Sequence, residues 1–363
     1  MAVGLKSFLA SLASQNNAPP KRVVGIDIGS SSVKVVELQF VKNIITLKTY
    51  GELQLGPYGE RELGRVVQLE LPKQVEAVVD ILKEAKVKAK AGILTLPMSM
   101  SFVTVFSVEA EQTEDIESRV HVEARKYIPV PMAEVALDWN ELPSLGSSVG
   151  LGREVLVVAV QNDIYNEMNI LLQSLQMTSQ SPEVELFSAL RSVTNASDTS
   201  VAVIDLGAQT SKMYISHEGM VRKIHRVFAG GVQATERIAK LLDIPFEEAE
   251  DKKRNYTPDG EDAADIKKAV ITTFERSFQE FRRVLNQYEL RAGAPVARIV
   301  ITGGTASFGE MQTYASYMLD RQVERANPFT KTAYPAFMED TLAEVAPIFS
   351  IALGAALRPF ELI

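Results

Sequence analysis

Two eight-residue segments, "DIGSSSVK" at 27–34 and "DLGAQTSK" at 205–212, repeat one pattern of polar residues. Each begins with an aspartate after an apolar run, with a glycine two residues later and a lysine seven residues later. Ser32 of the first copy corresponds to Thr210 or Ser211 of the second. A glycine permits close backbone approach, and successive N–H groups in such a turn can bind an anion. Two such turns facing each other would hold a polyphosphate from both sides.

The aspartates and lysines of the repeat add metal and charge chemistry to that prediction. Asp27 and Asp205 would hold a hydrated Mg²⁺, because this ion uses few carboxylates and keeps several waters. Lys34 would place a positive charge on the phosphates. A third glycine motif, "TGGT" at 302–305, follows the apolar strand "RIVI" and would bring backbone and a helix N-terminus to a nucleoside.

One Asp-x-Gly turn alone is a common feature of proteins, so the prediction of a nucleotide site depends on the whole series. Three glycine motifs occur in this order, and the first is duplicated. The sequence contains neither GxxxxGK[ST] nor a GxGxxG after a strand, which argues against a P-loop protein and a dinucleotide-binding fold.

Composition limits the classes of protein that remain. The 363 residues are 46% hydrophobic and 23% charged, which suggests two domains or one large bilobed body with a sizeable core. A net charge of −8 argues against nucleic acid as a main partner. The absence of cysteine excludes disulfides and thiolate metal sites and fits a cytosolic protein. No apolar run approaches the ~20 residues of a membrane-spanning helix, so no such helix is predicted.

The elements that must position these motifs follow from periodicity and turn signals. Before the second copy of the repeat, strands are predicted at 22–28, 33–40, 43–50 and 92–97, and a helix at 72–86. Residues 98–180 are predicted to form a separate α+β module of strand, helix, strand, strand and helix. Thr113 would cap the first helix of that module, which would span 113–131.

After the second copy, a glycine turn leads into a helix, and a long amphipathic helix is predicted at 261–290. Its apolar stripe consists of Val270, Phe274, Phe278, Phe281 and Leu285, and it would either pack on its own domain or form a coiled coil. Near the N-terminus, Leu5, Phe8, Leu9 and Leu12 share one helical face. That segment is predicted to be either a short docking helix or a frayed tail.

The series of motifs resembles the actin-like ATPase superfamily, with its two phosphate loops, its adenosine loop and, in "FSIALGAALR", its second connecting helix. Within that superfamily, "GIDIGSSSVKVVEL", "EARKYIPVPMAEVALDWNEL" and "PIFSIALGAALR" resemble the PilM family of type IV pilus assembly. The resemblance covers residues 22–358. It implies an α/β, bilobed actin-like ATPase fold of duplicated ribonuclease-H-like domains, with an FtsA/PilM-type inserted α+β subdomain.

The resemblance also implies domain boundaries. We expect a flexible N-terminal tail at 1–20 and a first lobe from 21–97 plus 181–199, to which a closing helix at 346–360 returns. The inserted subdomain would span 98–180. The second lobe would span 200–345 and include a helical subdomain at 232–295.

The residues that match the family's motifs receive roles from the resemblance. Asp27 and Asp205 would hold Mg²⁺ through water, and the first-loop phosphate contacts would come from Gly29, Ser30, Ser31, Ser32 and Lys34. The second loop and the nucleoside site would comprise Gly207, Thr210, Ser211, Gly230, Gly231, Glu250, Lys253, Gly303 and Gly304. "EEAEDKKR" at 247–254 matches a family stretch of the form A-E-x-x-K, although an ordinary solvated helix face remains an alternative for Glu250 and Lys253.

Glu185, on the helix before the second loop, is the candidate that would orient a hydrolytic water, with a surface glutamate as the alternative. Lys212 and Gln209 depart from the pattern of stronger ATPases, so the resemblance implies ATP binding with slow turnover at most.

The implied function is an ATP- and Mg²⁺-binding cytoplasmic scaffold, peripheral to the inner membrane through its partners. It would bind the N-terminal cytosolic peptide of PilN between the first lobe and the inserted subdomain, and would link the platform to assembly motor ATPases. An FtsA-like filament-former or other homo-oligomer, a secretion or mannose-sensitive pilus component, and a sugar-kinase-type phosphotransferase are the alternatives.

Overall fold

The computed structural model of the protein describes residues 20–109, 115–145, 152–179 and 182–360. Within them the strands are β1 Arg22–Ile28, β2 Ser32–Val41, β3 Ile44–Gln54, β4 Ala91–Leu96, β5 Ser101–Glu109, β6 Val135–Leu142, β7 Gly152–Gln161, β8 Thr178–Ser179, β9 Glu183–Val184, β10 Ser200–Leu206, β11 Ser211–His217, β12 Met220–Val227, β13 Arg298–Thr302 and β14 Glu324–Arg325. The α-helices are α1 Leu71–Glu84, α2 Glu117–Ala124, α3 Asn162–Ser174, α4 Glu185–Val193, α5 Gly231–Leu242, α6 Phe246–Arg254, α7 Ala263–Ala292, α8 Met311–Leu319, α9 Glu339–Val345 and α10 Ser350–Leu357.

Two of the three sheets repeat one topology. The first has the order β3-β2-β1-β4-β8, with β9 also on β4, and the second has the order β12-β11-β10-β13-β14. In each, an antiparallel three-stranded meander continues into parallel strands. The registers match as well, since Asp27 lies opposite Lys34 and Asp205 opposite Lys212. The repeat in the sequence is therefore a repeat of whole lobes.

The closing helix α10 occupies the core between the first sheet and α4. Every residue of α10 is buried, and small residues allow the contact. A Cβ on Gly25 would lie 1.9 Å from the carbonyl oxygen of Ala352, and a Cβ on Gly354 would lie 1.9 Å from that of Ser188. The helical run Ala336–Phe360 is long and apolar enough to cross a membrane by length and composition, and 61% of its most apolar window is buried inside the fold. Its apolarity thus serves internal packing.

The inserted module has its own three-stranded sheet, in the order β5-β7-β6, with α2 packed on it. The helix predicted at 113–131 is shorter, because α2 covers only Glu117–Ala124; Thr113 lies outside the described residues. The predicted boundary at 180 also differs from the packing. Met168, Leu171 and Leu172 of α3 join the apolar cluster of the first lobe, and β8 pairs with β4. Since an amphipathic helix lies where its apolar face is covered, α3 belongs with the first lobe.

The second lobe carries α5, α6 and the 30-residue α7 beside its sheet. The five stripe residues predicted for the long helix, Val270, Phe274, Phe278, Phe281 and Leu285, are all buried in this lobe's own core. The coiled-coil alternative is therefore not needed to explain the stripe.

Two further contacts join the parts of the molecule. The carbonyl oxygen of Pro347, just before α10, accepts hydrogen bonds from the Thr302 hydroxyl at 2.8 Å and from the Gly303 N–H at 3.0 Å. On the module, the Glu154 carboxylate lies 3.6 Å from Arg222 and 2.5 Å from Arg291, both in the second lobe. The module is thus covalently continuous with the first lobe and ion-paired to the second.

Candidate nucleotide-binding cleft

A cavity of about 710 Å³ lies between the two sheets, within the range of about 300–1,000 Å³ typical of ligand pockets. Both copies of the repeated motif line it, together with the glycine turn after β13 and the helices α5 and α6. The predicted site residues that line it are Asp27, Gly29, Ser30, Ser31, Ser32, Lys34, Glu185, Asp205, Gly207, Thr210, Gly231, Glu250, Lys253, Gly303 and Gly304.

The two hairpin turns have the same internal geometry. The Gly29 N–H donates to the Ser32 carbonyl oxygen at 3.0 Å, and the Gly207 N–H donates to that of Thr210 at 3.1 Å. The structural equivalent of Ser32 is therefore Thr210. Ser211 points elsewhere: its hydroxyl is buried and donates to the Ala229 carbonyl oxygen at 2.7 Å. Ser211 holds the end of β12 rather than lining the cavity.

Gly230 likewise lies behind the cavity lining. A Cβ there would lie 2.5 Å from the carbonyl oxygen of Ala208. The next residues bond to the same loop, since the Gly231 N–H donates to the Gly207 carbonyl oxygen at 3.0 Å. The glycine pair before α5 therefore supports the second hairpin from behind, and only Gly231 faces the cavity.

Asp27 is buried at the end of β1, where its Oδ1 accepts a hydrogen bond from the Thr95 hydroxyl at 2.9 Å. Burial raises the pKa of Asp27 above 3.8, although Lys34 and the Thr95 hydrogen bond oppose the shift. Thr95 was missed at the sequence level. A polar residue inside the buried strand "GILTLP", parallel to the strand that carries Asp27, was the available signal.

Lys212 is the buried cation of the second hairpin. Its Nζ lies 2.8 Å from Oε1 of Glu185 and 3.1 Å from Oδ2 of Asp205. Burial works against the charged amine, but the two carboxylates raise the pKa of Lys212 well above its ordinary value. Lys212 is therefore a fixed positive charge in the wall of the cavity.

Glu185 lies in the cavity wall as the first residue of α4, and its Oε1 is bonded twice. It accepts from the Met98 backbone N–H at 2.7 Å and from Lys212 at 2.8 Å. Burial and the neighbouring charges of Asp205 and Asp27 raise its pKa, against the pull of Lys212. This carboxylate is held in place by two donors, which restricts it as an acceptor for a substrate water.

The donor set fits a magnesium ion that keeps most of its waters. Within the described residues no group of three His, Cys, Asp or Glu side chains is arranged as a metal cage. Asp27 keeps Oδ2, and Asp205 keeps Oδ1, outside the hydrogen bonds to Thr95 and Lys212. Two carboxylates facing a polyphosphate site suit Mg²⁺, which is bound through one or two carboxylates plus phosphates.

The far end of the cavity holds a second charged cluster, on α5 and α6. Oε2 of Glu250 accepts from Lys253 at 2.6 Å and from the Thr235 hydroxyl at 2.5 Å, and its Oε1 accepts from Arg254 at 2.8 Å. Burial raises the pKa of Glu250, but these donors outweigh it and leave the pKa below 4.5. Lys253 also donates to the Gly231 carbonyl oxygen at 3.0 Å. Glu250 and Lys253 are therefore built into the cavity wall, and the solvated-face alternative is wrong.

The glycine turn after β13 completes this end. Gly303 has a φ of +90°, and a Cβ there would lie 2.5 Å from Oδ1 of Asp205. Only glycine fits that backbone without strain. Gly304 has open space where a side chain would be. The turn leaves room for a planar ligand group beside the carboxylate of Asp205.

A loop of the first lobe crosses to the second beside this cluster. The guanidinium of Arg65 lies 3.6 Å from the ring centre of Phe246 and 3.2 Å from the Glu236 carboxylate. Gly64 packs so closely on Glu250 that a Cβ would lie 2.6 Å from its side chain. No sequence motif indicated this contact, because it joins residues about 180 positions apart.

Comparison with known proteins gives one family and several related folds. The family model described as type IV pilus assembly protein PilM matches residues 25–360. A structure described as the PilM-PilN type IV pilus biogenesis complex has a TM-score of 0.76 at 24% identity, over 93% of this chain and 98% of that chain. The ethanolamine utilization protein EutJ from Carboxydothermus hydrogenoformans has a TM-score of 0.56 at 14% identity, over 94% and 91%.

MreB5 of Spiroplasma citri bound to ADP has a TM-score of 0.50 at 11% identity, over 94% of this chain and 95% of that chain. The bilobed actin-like ATPase fold expected from the motifs is thereby confirmed.

Proposed function

Because the chain belongs to the type IV pilus assembly protein PilM family, we propose that it is an ATP-binding scaffold of the pilus assembly platform at the inner membrane. The observation that carries this proposal is the pair of matching hairpins. They face one cavity, and each carries an aspartate and a lysine at equivalent positions. Such a cavity suits a metal-bound polyphosphate, since backbone N–H groups and a lysine meet the phosphates.

Each end of the cavity has a role in this proposal. The hairpin glycines and Lys34 would bind the phosphates, while Asp27 and Asp205 would hold the Mg²⁺ that neutralises phosphate charge. The nucleoside would lie between the Gly303 turn and the cluster of Glu250 and Lys253. The fold relatives include an ADP-bound MreB5, which supports nucleotide as the ligand class.

We propose retention of ATP rather than rapid hydrolysis. General-base catalysis needs a carboxylate within reach of the attacking water and free to accept its proton. Glu185 is the best-placed carboxylate, but Lys212 and the Met98 N–H fix its orientation through Oε1, so a water could be reached only by Oε2. The expected activity is therefore a slow ATPase at most.

The proposed partner is the N-terminal cytosolic peptide of PilN, bound between the first lobe and the inserted module. The similarity to the PilM-PilN complex supports this partner. The contacts of Glu154 with Arg222 and Arg291 would let the angle between the lobes act on the module, and so on the peptide and on motor ATPases.

The test mixes purified protein with Mg-ATP, quantifies bound nucleotide and released phosphate in one sample, and titrates a fluorescent PilN peptide with and without ATP. We expect intact bound ATP, little phosphate and a peptide affinity that depends on nucleotide. Asp27→Ala should abolish nucleotide binding, with Asp340→Ala, at an exposed position of α9 outside the cavity lining, as the control. Unchanged affinity in Asp27→Ala would contradict the assignment of the first loop.

A further inference from the structure

One end of the first lobe carries a concentration of lysines that the nucleotide site does not use. We call it the basic edge. Its members are the exposed residues Lys21, Lys42, Lys48, Lys83, Lys86, Lys88 and Lys90.

Strand register places these lysines together at the end of the sheet where β1 and β4 begin. Val23 pairs with Ala91, so the residues just before each strand lie side by side. Lys42 occupies the β2–β3 turn at the same end, with a φ of +52°. The C-terminus of α1 is fixed there too, because the Thr49 hydroxyl donates to the Ala85 carbonyl oxygen at 2.7 Å. The Lys88 N–H donates to Glu37 at 2.9 Å.

The charge of this edge is opposite to that of the whole protein. The net charge is −8, yet "KEAKVKAK" at 83–90 has four lysines and one acid, Glu84. Residues 41–48 contain two lysines and no acid. Among the residues that the structure describes, no carboxylate lies within ion-pair distance of a basic-edge lysine. The positive charges are therefore available to a partner.

Apolar side chains accompany the lysines. Val41 and Ile44 are 46% and 53% exposed and flank Lys42 in the turn. The described chain also starts here: the Lys21 carbonyl oxygen accepts from the Phe40 N–H at 2.9 Å. The preceding sequence, whose Leu5, Phe8, Leu9 and Leu12 share one helical period, therefore joins the molecule at this edge.

We propose that the basic edge binds the surface of an anionic lipid bilayer directly. Lysines would lie at the headgroups, where each basic residue near an anionic leaflet adds affinity, and Val41 and Ile44 would enter the interfacial layer. Nucleic acid fits less well, since phosphate binding leaves the apolar pair without a partner and Phe40, a half-buried aromatic ring at this edge, already stacks on Phe360 with ring centres 5.4 Å apart.

The orientation that results keeps the rest of the molecule accessible. The cleft lies at the other end of β1, about 20 Å away at roughly 3.3 Å per residue. The inserted module leaves the first lobe after β4 at that same far end. A membrane under the basic edge would therefore leave both nucleotide and partner-peptide sites facing the cytosol.

The experiment is flotation of the full chain with phosphatidylcholine vesicles, with and without phosphatidylglycerol. The variant Lys86→Gln/Lys88→Gln/Lys90→Gln is compared with Lys223→Gln/Lys240→Gln/Lys268→Gln, three exposed lysines of the second lobe. We expect binding only to the anionic vesicles, weakened by salt. Each basic-edge lysine should contribute roughly fivefold, so the first variant should bind roughly a hundredfold more weakly and the control as the parent does.

Several outcomes would overturn the proposal. The first two are an equal loss of vesicle affinity in both triple variants and equal binding of the parent protein to neutral and anionic vesicles. The others are unchanged vesicle binding in the basic-edge variant and tighter binding of polyglutamate or duplex DNA than of anionic vesicles. Bound ATP is measured in the same samples. Because the cleft lies at the opposite end of the lobe, both variants should retain nucleotide, so failure here is distinguishable from failure of the proposed function.

Discussion

The two repeated hairpins have the same backbone and different electrostatics. Both carry a lysine opposite an aspartate across the first pair of strands. Lys34 lies near its own loop and 4.0 Å from the partly exposed Glu52. Lys212 is enclosed by Glu185 and Asp205 at 2.8 and 3.1 Å. The two turns therefore have the same geometry, but Lys212 of the second copy is paired with the protein's own carboxylates.

That difference assigns separate tasks to the two copies. The first lysine can move toward a ligand, because its ion pair with Glu52 is long and partly exposed. The second stabilises the two buried carboxylates of Glu185 and Asp205 and in doing so immobilises Glu185. We infer that the first hairpin determines affinity for the nucleotide and the second determines how the cavity is held together.

The largest expected effect is on the free energy of unfolding, and it tests whether the two hairpins have separate tasks. Lys212→Met leaves two buried carboxylates without their cation, so the free energy of unfolding should fall by about 3–5 kcal/mol. Lys34→Met should cost less, because its ion pair with Glu52 is 4.0 Å long and partly exposed and its attraction to Asp27 involves no ion-pair contact. Urea denaturation of the apoprotein measures both. The double variant Lys212→Met/Glu185→Gln should recover part of the loss; equal losses in the two single variants would refute the comparison.

The second prediction concerns affinity for ATP. Lys34→Met removes a charge-assisted contact with phosphate worth about 1.5–3 kcal/mol, so ATP should bind roughly 10- to 100-fold more weakly. Calorimetric titration with ATP and with AMP measures the effect, which should shrink for AMP. Lys73→Met, on the exposed face of α1, is the matched control. A loss of equal size for AMP would assign Lys34 to the nucleoside end instead.

The third prediction uses pH. Burial raises the pKa of Asp27, so the stability associated with its protonated form is lost as the pH rises above 3.8 and through the raised pKa. Asp27→Asn should therefore unfold at higher denaturant than the parent at pH 7, and the gain should disappear as the pH approaches 3.8. The same substitution should weaken Mg-ATP binding, as expected where function requires a buried charge.

In the same experiment, Glu250→Gln should change the free energy of unfolding in the direction opposite to Asp27→Asn. The donors around Glu250 lower its pKa, so its contribution to stability is present above pH 4.5 and is lost as the pH falls through the lowered value. This variant should be less stable than the parent at pH 7. If Asp27→Asn and Glu250→Gln shift stability in the same direction, burial does not dominate at Asp27.

The smallest expected effect is the loss of ATP affinity when a hydroxyl is removed at the equivalent position of either turn. Ser32→Ala and Thr210→Ala each remove one neutral hydrogen-bonding group from the phosphate site, worth about 0.5–1.5 kcal/mol, or roughly two- to tenfold in ATP affinity. The backbone bond that closes each turn is unaffected. Fluorescent-nucleotide displacement can resolve such differences, and a much larger loss in Thr210→Ala would mean that the second loop also determines affinity.

Local pattern was sufficient to predict the lobes and most of the cavity lining. The alternation of apolar runs and glycine turns placed β1, β2 and β10 and identified both hairpins, because a turn of this kind is determined by adjacent residues. Whether Thr210 or Ser211 is the equivalent of Ser32 depends on the strand register of the second hairpin, because a shift of one residue would exchange the two. Contacts between distant segments, such as Arg65 with Phe246 or Lys212 with Glu185, have no local signal. The assignment of α3 failed for the same reason, since its apolar face could have packed on either neighbour.

The Pro347 carbonyl oxygen has a mechanical consequence. One atom of the first lobe's closing segment receives two hydrogen bonds from the second lobe, beside an apolar cluster in which Leu186 and Ile351 pack with Val203 of the second sheet. Buried side chains at this seam are close-packed, so the lobes cannot separate there without opening a cavity. A change in the angle between the lobes would therefore leave this seam closed and would produce its largest displacement at the rim furthest from it.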